Sequence, residues 1–209
     1  MKVILINGSP NKNGCTKRAL NEVASELTNA QIEVEHFHIG ANVSPCTACY
    51  KCVENKNGRC VITKDSVNDF LQLAETADGY VFGSPVYFAS ASGGINSFMD
   101  RVFFVGRHKI FPLKPASIIV SCRRAGSSAA LDNLTKYLTI SQMPVVSSHY
   151  WNMVHGSNPS QVEQDLEGMQ IMRTLGRNMA WLLKSIEAGK EKNIALPEKE
   201  KRVQTNFIR

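Results

Sequence analysis

A chain that opens Lys2-Val-Ile-Leu-Ile-Asn-Gly-Ser-Pro-Asn-Lys-Asn-Gly-Cys-Thr16 has few folds open to it. The apolar run Val3 to Ile6 reads as a buried strand, and it breaks off into a loop of Gly, Ser, Asn and Pro that delivers Thr16 to the start of a helix. A strand ending this way leaves unpaired backbone N–H groups at the helix N-terminus, aimed at one point. With the hydroxyls of Ser9 and Thr16 those donors form a cradle for phosphate. The expectation is a phosphorylated small molecule held at the carboxyl end of the first strand.

The rest of the chain continues the alternation. A helix is expected over about 15–28, with Ala19, Val23 and Leu27 at helical spacing, then a strand at Ile32 to Phe37. Residues 40–63 carry Pro45, Gly58 and four cysteines and read as a long functional loop, after which Asp65 would cap a helix carrying Val67, Phe70, Leu71 and Ala74. A short strand, Tyr80 to Phe82, closes at Gly83-Ser-Pro85. A helix follows at about 92–105, a strand at Ala116 to Ser121, a helix at about 127–140, a fifth strand at Val145-Val146 and one long helix at about 160–186. Strand–helix alternation predicts an α/β fold. With a ligand loop after the first strand it predicts the flavodoxin-like, doubly wound arrangement: a five-stranded parallel sheet of order 2-1-3-4-5 with helices on both faces.

At 209 residues, 43% of them apolar and 20% charged, the chain can bury a full core. No apolar stretch approaches the roughly 20 residues of a membrane span, and the run after Lys2 is too short for a secretion signal, so no membrane partner and a cytoplasmic location are expected. The net charge of +6 suits an anionic small ligand. The basic residues are scattered rather than massed in one stripe, which argues against nucleic acid.

Residue types then narrow the phosphate ligand. A nucleotide-hydrolysing P-loop needs four residues between its glycines and a lysine before the Ser/Thr. Here five separate Gly8 from Gly14, and Cys15 precedes Thr16. Gly8-Ser-Pro10 breaks the dinucleotide fingerprint, no cysteine has an arginine six positions on, and the first strand ends in Asn7 rather than an acid. Neutral donors suit a phosphate monoester that is held and not transferred, and FMN is such a ligand. In a 2-1-3-4-5 sheet the loops after strands one, three and four meet in one crevice. Tyr87 and Phe88 could stack on an aromatic ring, and the backbone of Pro85, Val86, Tyr87 and Phe88 could line its edge. After the fourth strand, Ser121-Cys122-Arg123-Arg124 offers two cations to the pyrimidine side, where they would stabilise a reduced, anionic ring.

Asn7-Gly-Ser-Pro10 with Gly14-Cys-Thr16, Gly83-Ser-Pro-Val-Tyr-Phe88, Asp100-Arg101 and the four-cysteine loop together resemble the NAD(P)H-dependent FMN reductases of flavodoxin-like fold, and within them the iron-sulfur flavoproteins. The resemblance reaches to the closing Thr205-Asn-Phe-Ile-Arg209. It implies phosphate-loop roles for Ser9, Asn11, Asn13, Cys15 and Thr16, and ring contacts for Pro85 to Phe88; Cys122 belongs to the flavin loops. Cys15 stands where relatives often carry Asn, and Asn96 where many carry Lys.

Cys46-x2-Cys49-x2-Cys52-x7-Cys60 puts three thiols on one tight turn and a fourth downstream. The set could hold three corners of a cuboidal cluster with the fourth ligand reaching back, could bind zinc, or could be free thiols; the resemblance implies a [4Fe-4S] cluster. The resulting expectation is an oxidoreductase passing electrons from NAD(P)H through FMN, and through a cluster where one is bound, to a small-molecule acceptor or a redox partner protein. Its rivals are an electron carrier without nicotinamide turnover and a metal-binding sensor or structural protein. No side chain is singled out as catalytic. Residues 1–189 would form the flavin domain, with a cysteine-rich loop at 45–61, and 190–209 an extension whose Phe207-Ile208 docks on another subunit of a homodimer or homotetramer. Trp181, Leu182 and Ile186 are expected in the core or at that contact.

Overall fold

The computed structural model describes residues 1–201, 203, 205 and 207. Strand β1 (Lys2–Asn7) lies between β2 (Glu33–His38) and β3 (Gly79–Tyr87); β5 (Ala116–Cys122) and β6 (Met153–His155) complete the ladder. The order β2-β1-β3-β5-β6 is parallel throughout, which is the expected 2-1-3-4-5 arrangement. A two-residue strand, β4 (Ser90–Ala91), folds back antiparallel on the end of β3.

Both sheet faces are buried, so the central strands read as continuous apolar runs. Ile4 and Ile6 of β1, with Tyr80 and Phe82 of β3, face α3 (Val67–Ala74), α4 (Gly93–Gly106) and α5 (Ser127–Ile140). Val3, Leu5 and Val81 face α1 (Cys15–Asn29) and α7 (Leu166–Glu191). The aromatics gather on the first of these faces: Phe70 meets Phe98 at 5.1 Å and Phe103 meets Phe111 at 4.6 Å between ring centroids. Among the described residues no helix is long and apolar enough to cross a membrane.

Three expectations about elements are corrected. Val145-Val146 is not the fifth strand; Val145 makes an isolated parallel bridge with Ala116, and the ladder resumes only at Met153. Side chains fill the gap: the Ser117 hydroxyl donates to the Val146 carbonyl (2.8 Å) and accepts from Asn152 Nδ2 (2.9 Å). The long terminal helix is two, α6 (Pro159–Gln164) and α7, broken where Asp165 leaves helical geometry and caps α7 by accepting from the Gly168 N–H (2.9 Å). The third strand does not stop at Gly83 but runs on to Tyr87. The 40–63 segment also holds one short helix, α2 (Lys51–Asn55).

Candidate functional site

The phosphate loop is a ladder of side-chain-to-backbone bonds. The Ser9 N–H donates to Asn7 Oδ1 (3.1 Å), the Asn11 N–H to Ser9 Oγ (3.1 Å) and the Asn13 N–H to Asn11 Oδ1 (3.2 Å). Each rung is a local turn that Asn and Ser favour, which is why this loop is built from them. Three outside contacts fix it: Asn7 Nδ2 donates to the Lys12 carbonyl, the Ser92 hydroxyl donates to the Gly8 carbonyl (3.1 Å), and His38 Nε2 lies 2.8 Å from the Ser9 carbonyl. Ser92, His38 and Asn7 were not among the expected site residues; only the partners 84, 29 and five positions away reveal them.

Behind this loop, α1 starts at Cys15 with Gly14 in the capping position, with no side-chain cap bond and no acid in its first turn. Its first N–H groups and the positive end of its dipole are left for a ligand. Asn11 and Asn13 are exposed at the mouth, while Ser9 and Thr16 are buried. The Thr16 hydroxyl sits 2.9 Å from the Ser121 hydroxyl, so whichever of the two accepts keeps its own hydrogen to donate. The Cys15 thiol donates to the Gly156 carbonyl (3.5 Å), and burial pushes its pKa up.

The second wall is the hairpin that continues β3. Val86 pairs with Ala91 and Tyr87 with Ser90, and the turn between them is Phe88-Ala89. Both turn residues have positive φ (49° and 59°), as a two-residue type I′ turn requires. Neither is Gly or Asn, so the tip is strained by about 1–2 kcal/mol per residue. It holds Tyr87 and Phe88 out in the open, with Phe88 fully exposed. Gly126 (φ +90°) explains how the hairpin meets the loop after β5: a Cβ there would lie 2.4 Å from Ala89 Cα. The structure thus brings Pro85 to Phe88 beside Cys122, Arg123 and Arg124. The arginines are exposed; the Cys122 thiol is buried, and burial raises its pKa.

The third feature is the cysteine loop. Cys46, Cys49, Cys52 and Cys60 all line one open pocket, whose other walls include Tyr50, Ile62, Arg101, Phe104 and Val105. Ala48, Tyr50 and Lys56 take left-handed backbone geometry, which curls the segment around the pocket. Among the described residues no three His, Cys, Asp or Glu side chains converge on a point for a single metal ion. Four cysteine thiolates are nonetheless the donor set that a cuboidal cluster takes. Hydrogen bonds to Cys49 from the Lys51 backbone and the Thr47 side chain lower its thiol pKa, whereas burial and the neighbouring Cys60 raise that of Cys52. Asp65, expected only as a helix cap, accepts from the Val67 N–H (3.3 Å) but chiefly pairs with Arg101.

Residues 1–158 match the family model described as NADPH-dependent FMN reductase, which is most of the chain. The chain belongs to this family. As a member of the FMN reductase family it is an FMN-dependent oxidoreductase, and the uncapped α1 and the three converging loops are in keeping with that. It is 30% identical over 198 residues to an iron-sulfur flavoprotein of Methanocaldococcus jannaschii, covering 90% of this chain and 100% of that one. It is 32% identical over 121 residues to an iron-sulfur flavoprotein of Archaeoglobus fulgidus, covering 57% of this chain and 54% of the relative, about half its length. Among solved structures it superimposes on RosB bound to 8-demethyl-8-formylriboflavin-5'-phosphate with a TM-score of 0.70 at 13% identity, covering 100% of this chain and 94% of that one; the likeness is one of fold.

If the hydroxyl pair belongs to the site, Thr16→Ala should weaken FMN binding by about 1–3 kcal/mol, the scale of a lost bond to a charged group. Ser121→Ala should weaken it less, since Thr16 keeps its hydroxyl. Titrating apoprotein with FMN and following quenching of its fluorescence checks both; equal affinity in all three proteins would remove Thr16 from the site.

Proposed function

We propose that FMN is held with its phosphate among Ser9, Asn11, Asn13, Cys15 and Thr16 and its ring at Pro85, Val86, Tyr87 and Phe88, with Cys122, Arg123 and Arg124 along the pyrimidine side. We propose further that the enzyme takes hydride from NADH or NADPH and passes electrons to a small-molecule acceptor or a redox partner protein, by way of a [4Fe-4S] cluster on Cys46, Cys49, Cys52 and Cys60. The observation that carries the flavin part is the convergence of an uncapped helix N-terminus, an exposed aromatic hairpin and a two-arginine loop at the carboxyl ends of β1, β3 and β5. Bound FMN would supply the hydride acceptor, and a bound cluster a one-electron relay. The chain's own residues do the rest. The α1 N–H groups neutralise the phosphate, Tyr87 and Phe88 exclude water from a ring face, and the two guanidinium groups favour a ring that carries negative charge. What supports the cluster over zinc is the Cys46-x2-Cys49-x2-Cys52 spacing, three ligands in succession rather than two separated pairs, with all four cysteines on one pocket.

One experiment tests both parts: an absorption spectrum of anaerobically purified protein, with the flavin released by heat identified and iron and acid-labile sulfide counted per chain. FAD in place of FMN overturns the first part. Protein lacking both iron and sulfide overturns the second, and one zinc per chain installs the runner-up. Flavin that NADH and NADPH both fail to reduce would turn the reading into that of an electron carrier.

The assembly belongs to the same proposal: residues 1–189 as the flavin domain, and 190–209 as an extension seated on another copy of the chain. Trp181 on α7 is exposed and so is not part of the chain's own core, and the proposal seats it at the subunit contact. Leu196 and Phe207 are exposed as well, and Ile208 lies outside the described residues. Burying each such side chain is worth about 1.5–3 kcal/mol. Deleting residues 203–209 should therefore lower the solution mass or the melting temperature; a truncated protein unchanged in both would show the tail to be idle.

A further inference from the structure

Among the described residues Arg101 is the largest fully buried side chain, only 1% exposed, although it lies in the middle of α4 among Phe98, Met99, Val102 and Phe103. A guanidinium taken out of water has to have its donors satisfied, and in a helix of this composition an apolar residue would pack without that demand. Every acceptor it finds belongs to the cysteine segment or the turn that ends it. Nε donates to the Cys60 sulfur (3.3 Å), Nη1 to the Ser44 carbonyl (3.2 Å) and to the Asp65 carboxylate, and Nη2 to the Ile62 carbonyl (2.7 Å). Asp65 is itself 2% exposed by side chain and also accepts from the Ser44 N–H (3.1 Å), so both ends of the loop are tied to this one cation. Burial works to raise the Asp65 pKa, and the bond and charge of Arg101 outweigh it and hold it below the ordinary carboxylate range. A guanidinium does not deprotonate in proteins, so Arg101 is charged in the pocket wall, paired there with the Asp65 carboxylate.

Of the four cysteines, Cys60 alone receives this bond, and it is the one separated from the Cys46–Cys52 turn by seven residues. A rigid planar fork that binds the loop before and after Cys60 fixes where that sulfur stands. A hydrogen bond to a ligating sulfur and a nearby fixed charge are also two of the factors that set a cluster's reduction potential.

We propose that Arg101 is the positioning residue of the cysteine pocket: it places the Cys60 sulfur as the fourth ligand, and its charge raises the reduction potential of the iron-sulfur cluster bound there. The inference rests on the reading of the pocket as a cluster site. The step it influences is the gain of one electron by the cluster from reduced FMN. No bond forms or breaks at Arg101 and it takes up no proton; it offsets the negative charge that the added electron brings.

The test uses holoprotein purified anaerobically as wild type, Arg101→Lys and Arg101→Gln. FMN, iron and sulfide are counted per chain, iron loss to a chelator is timed, and the cluster's midpoint potential is read from a redox titration followed by electron paramagnetic resonance. Arg101→Gln is expected to keep its FMN, to have a more negative cluster potential than wild type, and to lose iron to the chelator at least several-fold faster. Arg101→Lys, which keeps the charge but has one nitrogen in place of three, is expected to regain most of the potential but not the resistance to chelator. A glutamine variant matching wild type in potential and iron loss overturns the proposal. Should that variant fail to fold, the lysine variant decides it: iron loss at the wild-type rate overturns the positioning role, and faster loss supports it. Wild-type protein without iron or sulfide fails the cluster reading itself, and with it this inference, before any variant is made.

Discussion

Gly8→Val is expected to weaken FMN binding on the order of tenfold or more. A Cβ at position 8 would stand 2.7 Å from the Gly83 carbonyl oxygen and 2.9 Å from Ile95 Cβ. The first of these is backbone of the central strand β3, already bonded to the Gly8 N–H at 2.8 Å. It cannot swing aside as a flexible side chain would, so the whole turn out of β1 has to lift, and with it the Ser9 and Asn11 rungs that shape the loop. Overpacking of this kind costs about 1–3 kcal/mol, and about 1.4 kcal/mol taken from binding is already a factor of ten. Gly14→Ala is the milder comparison: the three atoms nearest its Cβ all belong to the Asn11 side chain, the closest at 3.2 Å, and that side chain is exposed and can yield. Fluorescence titration of the three apoproteins, with melting curves to confirm folding, measures the effect. A Gly8→Val protein that folds and binds FMN as wild type does would show that the ligand sits elsewhere.

On the proposed cluster reading, Cys52→Ala is expected to remove iron while leaving flavin in place. Cys52 lies on α2 in the middle of the set, so its loss takes one of the three closely spaced ligands rather than the distant one. A cluster with three protein ligands is labile, whereas the phosphate loop draws on β1, α1, β2 and α4 and owes nothing to α2. Iron, sulfide and FMN analyses on anaerobically prepared protein check this in one preparation. Iron retained at the wild-type level would take Cys52 out of the ligand set; flavin lost together with iron would mean that the two sites stand or fall as one unit.

Much of this architecture is legible in the residues because it depends on local physics. Val3 to Ile6 must be buried on both faces, Gly8 to Thr16 must turn from strand to helix, and the remaining segments alternate in the same way; the parallel order follows from these. The misreadings have a common cause in contacts between distant residues. Gly83-Ser-Pro85 looks like the end of a strand, yet β4 returns to pair with Val86 and Tyr87 and keeps the strand going. Val145-Val146 looks like a strand, yet only one bridge to Ala116 forms, the Ser117 hydroxyl takes the Val146 carbonyl from the side, and the ladder skips to Met153. Asp165 resembles any polar residue on a helix surface until the His155 N–H is found 2.6 Å from its carboxylate. The site shows the same division. Residues whose local turns follow from their type, such as Ser9 and Asn11, are readable. Those that act by reaching across the fold, such as Ser92, His38 and Arg101, are not, and Arg101 within Asp100-Arg101 carried only a family likeness and no role.

Helix α4 touches both centres. Ser92, which caps it, holds the phosphate loop through the Gly8 carbonyl, and Arg101, nine positions on, holds Cys60. At 1.5 Å per residue the two grips are about 13 Å apart along one stiff rod, with its apolar side clamped in the core. Spacing between the flavin cradle and the thiols is thereby a matter of helix length rather than of loop posture. One residue added to or removed from this rod between positions 92 and 101 would turn the far grip by about 100° and point the guanidinium away from the pocket. If both grips are to hold, this stretch of helix has to keep its count.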